Sequence, residues 1–199
     1  MKERGSGLEG QVAVVTGAAQ GLGLGIVEKL GQYGANVING DLQYEKAGAA
    51  AAALSARGMA VEAAELDVAD SGAVTRFFNR ISEERGHVDI LVNNAGVGQK
   101  VAPVVELSDE EWQRVIHITL TGTFYCCRAA GRIMEGQGRG SVVNIASING
   151  QNPAATERGK EIVLANEIRK GGDHLVLRGK NGRPAWIDVQ GHICPICGN

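Results

Sequence analysis

A glycine-rich segment, TGAAQGLG (residues 16–23), lies where an apolar run gives way to a helical pattern. Its glycines, Gly17, Gly21 and Gly23, allow the backbone to turn sharply and to approach a ligand closely. The first amide groups of the helix would point at an anion, with the positive end of the helix dipole behind them. Such a turn alone also fits an ordinary tight turn, but here strand, glycines, helix and second strand make one βαβ unit. The segment therefore predicts a binding site for a pyrophosphate.

An acidic residue, Asp41, ends the second predicted strand, near the offset of about 20 residues expected for an acid that holds a ribose. Its carboxylate would accept hydrogen bonds from both ribose hydroxyls and would repel a 2′-phosphate. Gln20 leaves the glycine-rich turn without a basic partner for such a phosphate. Both features favour NAD over NADP as the cofactor.

Short β-branched runs alternate with longer helical stretches from residue 11 to residue 145. The runs that predict strands lie within residues 12–16, 35–40, 60–68, 88–96 and 141–147. Strands separated by helices predict an α/β fold, a Rossmann-like doubly wound parallel sheet of about five strands. A helix is predicted from a cap at Ser71 to Gly86. A longer one is predicted over residues 108–134, opened by a capping box of Ser108 and Glu111.

The pattern changes at about residues 153–156, which divides the chain into a nucleotide-binding domain (1–155) and a divergent tail (156–199). The sequence pattern of the tail predicts a helix over residues 156–172, followed by a hairpin that turns at Asn181 and Gly182. Cys194 and Cys197 have the spacing of a zinc knuckle, but a structural zinc takes four ligands and no second pair accompanies them, so zinc is disfavoured. The alternatives are a nuclease-like module, which the sequence matches loosely, and foreign sequence introduced by a frameshift, splice or fusion.

Four motifs in order make the chain resemble the short-chain dehydrogenase/reductase family over about residues 8–155. TGAAQGLG matches the family pattern TGxxxGxG, and LDVAD (66–70) matches the segment that would border the adenine. NNAG (93–96) matches the signature after the fourth strand, and GSVVNIASINGQ (140–151) matches the fifth strand with its serine. The resemblance implies a cofactor site made of Gly17, Gln20, Gly21, Leu22, Gly23, Asp41, Asp67, Val68, Asn94, Ala95 and Gly96.

The resemblance also implies hydride transfer between NAD and the carbon of a small-molecule alcohol or ketone. In this family a tyrosine, its pKa lowered by a lysine, exchanges the proton, while a serine hydrogen-bonds the substrate oxygen and an asparagine holds a water. Ser147 matches the serine. Thr119 stands at the usual asparagine position, where its hydroxyl could still bind a water.

The tyrosine and lysine of this machinery are missing at their usual place. All three tyrosines, Tyr33, Tyr44 and Tyr125, precede Ser147, and the segment that should carry Tyr-x-x-x-Lys reads TERGKEIVLANE (156–167). Lys160 in this segment fits a solvated lysine better than a substitute acid. Loss of the acid predicts alcohol oxidation slower by ~10²–10⁴-fold or more.

The bulk composition restricts the remaining function classes. The chain has 199 residues, 44% hydrophobic and 21% charged, with a net charge of −2 and no basic block, which argues against nucleic acid or an anionic membrane as partner. No apolar run reaches the ~18 residues of a membrane span, and the first residues lack the apolar core of a signal peptide, so we expect a cytoplasmic protein. A homo-oligomer is compatible with the sequence.

Two functional hypotheses follow. The first is an NAD-dependent oxidoreductase of the short-chain type, impaired or inactive because its active site is incomplete. The alternative is a domain that binds NAD without turning it over, or a truncated or frameshifted piece of such an enzyme. The substrate, the activity and the oligomeric state are left open by the sequence.

Overall fold

The computed structural model of the chain describes residues 7–99, 102 and 104–146, and the short strands 155–156, 159–160, 175–178, 184–187 and 193–194. The first part alternates strands and helices: β1 (Val12–Thr16), α1 (Gly21–Gln32), β2 (Asn36–Asp41), α2 (Tyr44–Ser55), β3 (Val61–Glu65), α3 (Ser71–Arg85) and β4 (Ile90–Asn93). A 3-10 turn (Val104–Glu106) then leads into α4 (Asp109–Ile116), a π-helical turn (His117–Thr121), α5 (Gly122–Gln137) and β5 (Ser141–Asn144).

The five strands form one parallel sheet in the order β3-β2-β1-β4-β5. All residues of the central strand β1 are buried, because helices cover both faces of the sheet. The strand order reverses at β1, whose two neighbours are β2 and β4. The connections that leave β1 and β4 therefore diverge and open a crevice at the carboxyl ends of these strands. This architecture confirms the predicted Rossmann-like α/β fold.

Two apolar layers enclose the sheet, since successive side chains of a strand point to opposite faces. One face packs against α3 and α5, and the other against α1 and α2. Each fully buried aliphatic or aromatic side chain in these layers contributes about 1.5–3 kcal/mol. The first layer includes Val14, Phe77, Phe78, Ile81, Leu91 and Ala130, and the second includes Val15, Val27, Val37, Ala51 and Leu54.

The helix ends differ from the sequence prediction in two places. The N-cap of α3 is Asp70 rather than Ser71, because the Asp70 carboxylate already accepts from the amides of Gly72 and Ala73. Gly86 ends α3 in the left-handed conformation, with φ 77°, as predicted. The long helix is broken into α4 and α5 by the π-helical turn. No helix within residues 7–99 and 104–146 is long and apolar enough to cross a membrane.

The amino ends of β1, β4 and β5 are tied together by Asp89, which is 7% exposed. One carboxylate oxygen accepts from the amide of Val12 at 2.9 Å, and the other accepts from Nε of Arg139 at 2.9 Å. Nε2 of His87 lies 3.2 Å from the first oxygen. These contacts fix β1 against β4 at the end of the sheet opposite to the crevice.

The tail differs from the prediction at its start. Strands Ala155–Thr156 (β6) and Gly159–Lys160 (β7) pair antiparallel, so the helix predicted over residues 156–172 is wrong for its first residues, where Gly159 is a poor helix former. Residues 161–174 lie outside the described part of the chain. The predicted hairpin is confirmed by antiparallel pairing of β8 (Leu175–Arg178) with β9 (Pro184–Ile187), and β10 (Ile193–Cys194) adds a third strand.

Candidate functional site

The glycine-rich turn between β1 and α1 is too crowded for side chains at two of its glycines. A Cβ on Gly17, whose φ is +63°, would lie 2.7 Å from Cα of Ala95. A Cβ on Gly23 would lie 2.4 Å from Nδ2 of Asn94 and 2.7 Å from the Gly17 oxygen. These glycines let the turn pack directly on the loop after β4, which brings the two connections of the crevice together.

The first turn of α1 faces the crevice without a side-chain cap. Gln20, the N-cap, has extended backbone with φ −161° and ψ 176°, and its side chain makes no capping bond. The first turn carries no acidic residue, and the side chain of Leu22 is 64% exposed. Uncapped amides at a helix start are suited to an anion such as a pyrophosphate.

A reciprocal set of hydrogen bonds joins the turn to the NNAG segment. The hydroxyl oxygen of Thr16 accepts from the amides of Asn94 at 3.1 Å and Ala95 at 3.0 Å. Nδ2 of Asn94 donates back to the backbone oxygens of Thr16 at 3.0 Å and Gly17 at 2.8 Å. The position of the glycine-rich turn is therefore set by β4 as well as by β1.

Asp41 lies at the carboxyl end of β2, beside the glycine-rich turn, and is 7% exposed. Its Oδ2 accepts from the amide of Ala19 at 2.8 Å, and its Oδ1 accepts from the amide of Gln43 at 2.8 Å. A carboxylate has about four acceptor positions, so each oxygen keeps a position for a ribose hydroxyl. The two backbone bonds hold the negative charge at this place.

A basic residue that the sequence reasoning overlooked lies at the same end of the crevice. Nζ of Lys46, in the first turn of α2, donates to Oε1 of Gln20. The turn itself offers no cation, as the sequence indicated, but the neighbouring helix supplies one. Its position shortly after Asp41, at the start of a helix, was the only signal for it in the sequence.

The carboxyl end of β3 contributes Asp67 and Val68. Oδ1 of Asp67 accepts from the amide of Ala69 at 2.9 Å, which shapes the turn before α3. Val68 is buried and packs against Gly122 of α5. These residues lie one strand beyond Asp41, at the same edge of the sheet.

On the other side of β1, the residue at the family's asparagine position lies next to the NNAG turn. A Cβ on Gly96 would be 3.7 Å from both Oγ1 and Cγ2 of Thr119. Thr119 belongs to the π-helical turn, and its backbone oxygen accepts from Oγ1 of Thr123 at 2.7 Å. Such turns often occur at functional sites. Ser147, Cys197 and the side chain of Cys194 lie outside what the structure describes.

A polar cluster that sequence reasoning missed joins β4, β5 and α5. Nδ2 of Asn93 donates to Oδ1 of Asn144 at 2.8 Å and to Sγ of Cys127 at 3.2 Å. Burial raises the pKa of the Cys127 thiol, and it raises the pKa of its neighbour Cys126 to about 12. Both side chains are therefore neutral thiols near pH 7. The cluster fixes the end of β5, which leads on to Ser147.

Across the described ranges, no group of three or more histidine, cysteine, aspartate or glutamate side chains could hold a metal ion. The described groups that line the crevice are backbone amides, the buried carboxylate of Asp41 and the hydroxyl of Thr119. Such a set can bind a diphosphate and a diol. These features define a Rossmann-type fold with a glycine-rich turn at its strand-order reversal.

Comparison with known proteins extends this classification. The family model described as short chain dehydrogenase matches residues 11–158. An uncharacterized oxidoreductase of Thermotoga maritima is 33% identical over 188 residues, which cover 92% of this chain and 73% of the relative. D-threitol dehydrogenase of Mycolicibacterium smegmatis is 42% identical over 140 residues, which cover 70% of this chain and 54% of the relative.

Solved structures agree with this result. A metagenomic short-chain oxidoreductase in complex with NADP superposes with a TM-score of 0.71 and 38% identity, covering 75% of this chain and 67% of that one. A short-chain dehydrogenase from Mycobacterium smegmatis gives a TM-score of 0.70 and 37% identity, covering 75% of this chain and 62% of that one. The chain belongs to the short-chain dehydrogenase family. It spans only 54% of the length of the D-threitol dehydrogenase that it matches.

Proposed function

We propose that this chain binds NAD in the crevice at the carboxyl ends of β1 and β4, and that its reaction class is hydride transfer to or from a small-molecule alcohol or ketone. The observation that carries the proposal is the cradle of Gly17 and Gly23, where an added Cβ would collide with the loop after β4. The uncapped amides of α1 would bind the diphosphate, and Asp41 would hold the adenosine ribose. The nicotinamide, when bound, supplies the hydride chemistry.

The preference for NAD over NADP rests on Asp41. Its carboxylate is buried and held by two backbone amides, so it cannot turn away from a 2′-phosphate. Lys46 is the nearby cation that would soften this repulsion, but it is engaged with Gln20. The NADP in a related structure belongs to that protein, and the acid here favours the diol of NAD.

On the catalytic side, Ser147 would donate a hydrogen bond to the substrate oxygen and Thr119 would hold a water. We assign Tyr125 to packing rather than to the missing acid, because its ring packs on the apolar core and its centroid lies 6.4 Å from that of His117 and 5.8 Å from that of Phe124. We infer that the chain turns over slowly or not at all, since residues 156–167 carry no Tyr-x-x-x-Lys pair. Foreign sequence after residue 156 is not favoured, because the alignment with the Thermotoga oxidoreductase covers 92% of the chain.

The test combines binding with turnover. NADH fluorescence titration should give saturable binding, while Gly23→Ala should give none at the same protein concentration. Oxidation of a panel of secondary alcohols and polyols with NAD then separates the two candidates. Binding with turnover establishes an enzyme, and binding without turnover establishes a dinucleotide-binding domain. Failure of the natural chain to bind NADH refutes both.

We also propose that the α4–α5 face pairs two copies of the chain. Trp112, Leu120 and Phe124 are 42%, 52% and 53% exposed along this face. Acidic residues 109–111 lie at one end and Arg128 at the other, so an antiparallel pair would match opposite charges. Light scattering should give a dimer for the natural chain and a monomer for Leu120→Glu. A natural chain that stays monomeric at the highest concentration it tolerates refutes the pairing.

A further inference from the structure

Helix α5 approaches the segment after β3 more closely than any side chain would permit. Gly122, the first residue of α5, is buried, and a Cβ built on it would lie 2.9 Å from Cγ2 and 3.0 Å from the oxygen of Val68. The same Cβ would lie 3.1 Å from Cβ of Val68. Distances of this kind force the backbone or the neighbour to move. A side chain at residue 122 would therefore require Val68 or the start of α5 to shift.

A second contact, further along the helix, docks α5 on the same segment. Nη2 of Arg128 donates to Oγ of Ser71 at 3.0 Å. Its guanidinium also lies over the rings of Phe124 and Tyr125, at 4.9 and 5.3 Å from their centroids, which orients it. Two points of α5, six positions apart in sequence, thus hold the segment from Val68 to Ser71. The position of Val68 is set by α5 as well as by β3.

Gly122 also lies close to the other half of the crevice. It directly follows the π-helical turn that carries Thr119, which is beside Gly96. A displacement of the start of α5 would therefore move the wall at Val68, the residue at the asparagine position, or both. The start of α5 thus connects both halves of the site from outside the cofactor cradle.

We infer that Gly122 is a positioning residue for the adenine end of the cofactor site, acting through Val68. This inference rests on the proposed function, in which Asp67 and Val68 border the adenine. Close approach of α5 holds Val68 inward, so the adenine meets a fixed apolar wall. An alanine at position 122 displaces this wall and leaves the cradle around Gly17 unchanged.

The experiment uses the full chain and four variants: Gly122→Ala, Val68→Ala, the double variant, and Gly131→Ala. Gly131 lies in the same helix with open space around its Cα, so its variant reports the gain in helix propensity alone. Kd values are measured for NADH by fluorescence and for AMP by displacement of NADH, with Tm measured in parallel. AMP contains the adenine and the ribose but not the nicotinamide.

Gly122→Ala should weaken binding of NADH and AMP about tenfold, whereas Gly131→Ala should bind both like the natural chain. Val68→Ala should weaken AMP binding in the natural chain but improve it in the Gly122→Ala background, because it removes the shortest of the three contacts, the one with Cγ2 at 2.9 Å. A merely structural effect would lower the Tm of Gly122→Ala but leave the Kd of the folded protein for AMP unchanged. If Gly122→Ala does not fold, recovery of folding and AMP binding in the double variant supports the inference.

Two results would overturn the inference while leaving the proposed function intact. One is a natural chain that binds NADH together with a Gly122→Ala variant that binds AMP equally well. The other is loss of AMP binding in Gly122→Ala that the Val68→Ala change does not restore. A natural chain that binds no NADH refutes the proposed function, and the inference falls with it.

Discussion

Replacing Asp41 by asparagine should shift the cofactor preference of the chain from NADH towards NADPH. The substitution keeps the shape of the side chain but removes the buried negative charge. The Asp41 carboxylate accepts from the backbone N–H groups of Ala19 and Gln43, both at 2.8 Å. The asparagine side chain has one acceptor oxygen in place of two, so it can accept from only one of these N–H groups. The variant therefore tests the charge and its fixed position together.

The magnitude follows from Coulomb interaction in a partly buried site. One charge pair at about 5–6 Å, with an effective dielectric constant near 20, is worth about 3 kcal/mol. Each 1.4 kcal/mol corresponds to about a factor of ten in affinity, so the ratio of the NADPH and NADH dissociation constants should fall about a hundredfold. We expect most of this change in NADPH, the only one of the two cofactors that carries the 2′-phosphate, and a smaller weakening of NADH from the lost carboxylate acceptor for the ribose. Loss of a bond from one buried amide should also lower the unfolding free energy by about 1–3 kcal/mol.

Fluorescence titrations of NADH and NADPH at fixed low salt measure this ratio directly. Glu45→Gln is the matched control, because it removes an exposed carboxylate from the first turn of α2 that is screened by solvent. Adding Lys46→Met to the Asp41→Asn variant should reverse part of the gain for NADPH. The reasoning fails if the natural chain binds both cofactors equally, or if Asp41→Asn changes the ratio no more than Glu45→Gln does.

Three further perturbations test the frame of the site. Gly23→Ala should abolish measurable NADH binding, because the added Cβ would lie 2.4 Å from a side-chain nitrogen of the loop after β4; natural affinity in a fluorescence titration would contradict the cradle. Asp89→Ala should lower the free energy of unfolding in urea by about 1–3 kcal/mol, since the buried amide of Val12 loses its acceptor; an unchanged midpoint would show that water replaces the carboxylate. Backbone bonds, that from Ala73 foremost, hold the pKa of Asp70 below its usual value, so its stabilisation is complete above about pH 4 and is lost as the pH falls through the folded-state value. Calorimetry should therefore find the Tm of Asp70→Ala below that of the natural chain at pH 7, with the difference narrowing as the pH is lowered. A difference that does not change with pH would rule out the carboxylate charge as the cause.

Most helices and strands within residues 7–146 could be predicted because their signals are local. The apolar run of β1 and the glycines that follow it specify a strand, a tight turn and a helix within a dozen residues. Parallel pairing then brings Asp41 and the NNAG segment to the edge where β1 ends, so two parts of the candidate crevice followed from topology. Short capping motifs were less decisive, because Asp70 and Ser71 are neighbours and either residue type can cap a helix.

The remaining contacts join residues that are distant in the sequence. Asn93 reaches Asn144 across 51 positions and Cys127 across 34, and neither partner carries a signal of its own. Lys46 is an ordinary surface lysine in the sequence, and only the packing of α2 brings it to Gln20. The π-helical turn depends on how α4 and α5 pack against their neighbours. The spacing of apolar residues along the sequence does not predict such a local change of helix type. The start of the tail was misread because the apolar residues at helical spacing begin only at Ile162, and the prediction extended their helix back over Thr156 and Gly159, where the structure has strands.

The hydrogen bonds at the two ends of β1 restrict how this strand can move. Asp89 binds the amide of Val12 at one end, and Asn94 binds the oxygens of Thr16 and Gly17 at the other. Because β1 is bound to the β4 segment at both of its ends, the two strands cannot slide along each other. The distance between the glycine-rich turn and the loop after β4 should therefore stay constant. If a bound ligand requires the site to adjust, we expect α1 or α5 to rotate. Binding should leave β1 and β4 in place relative to each other.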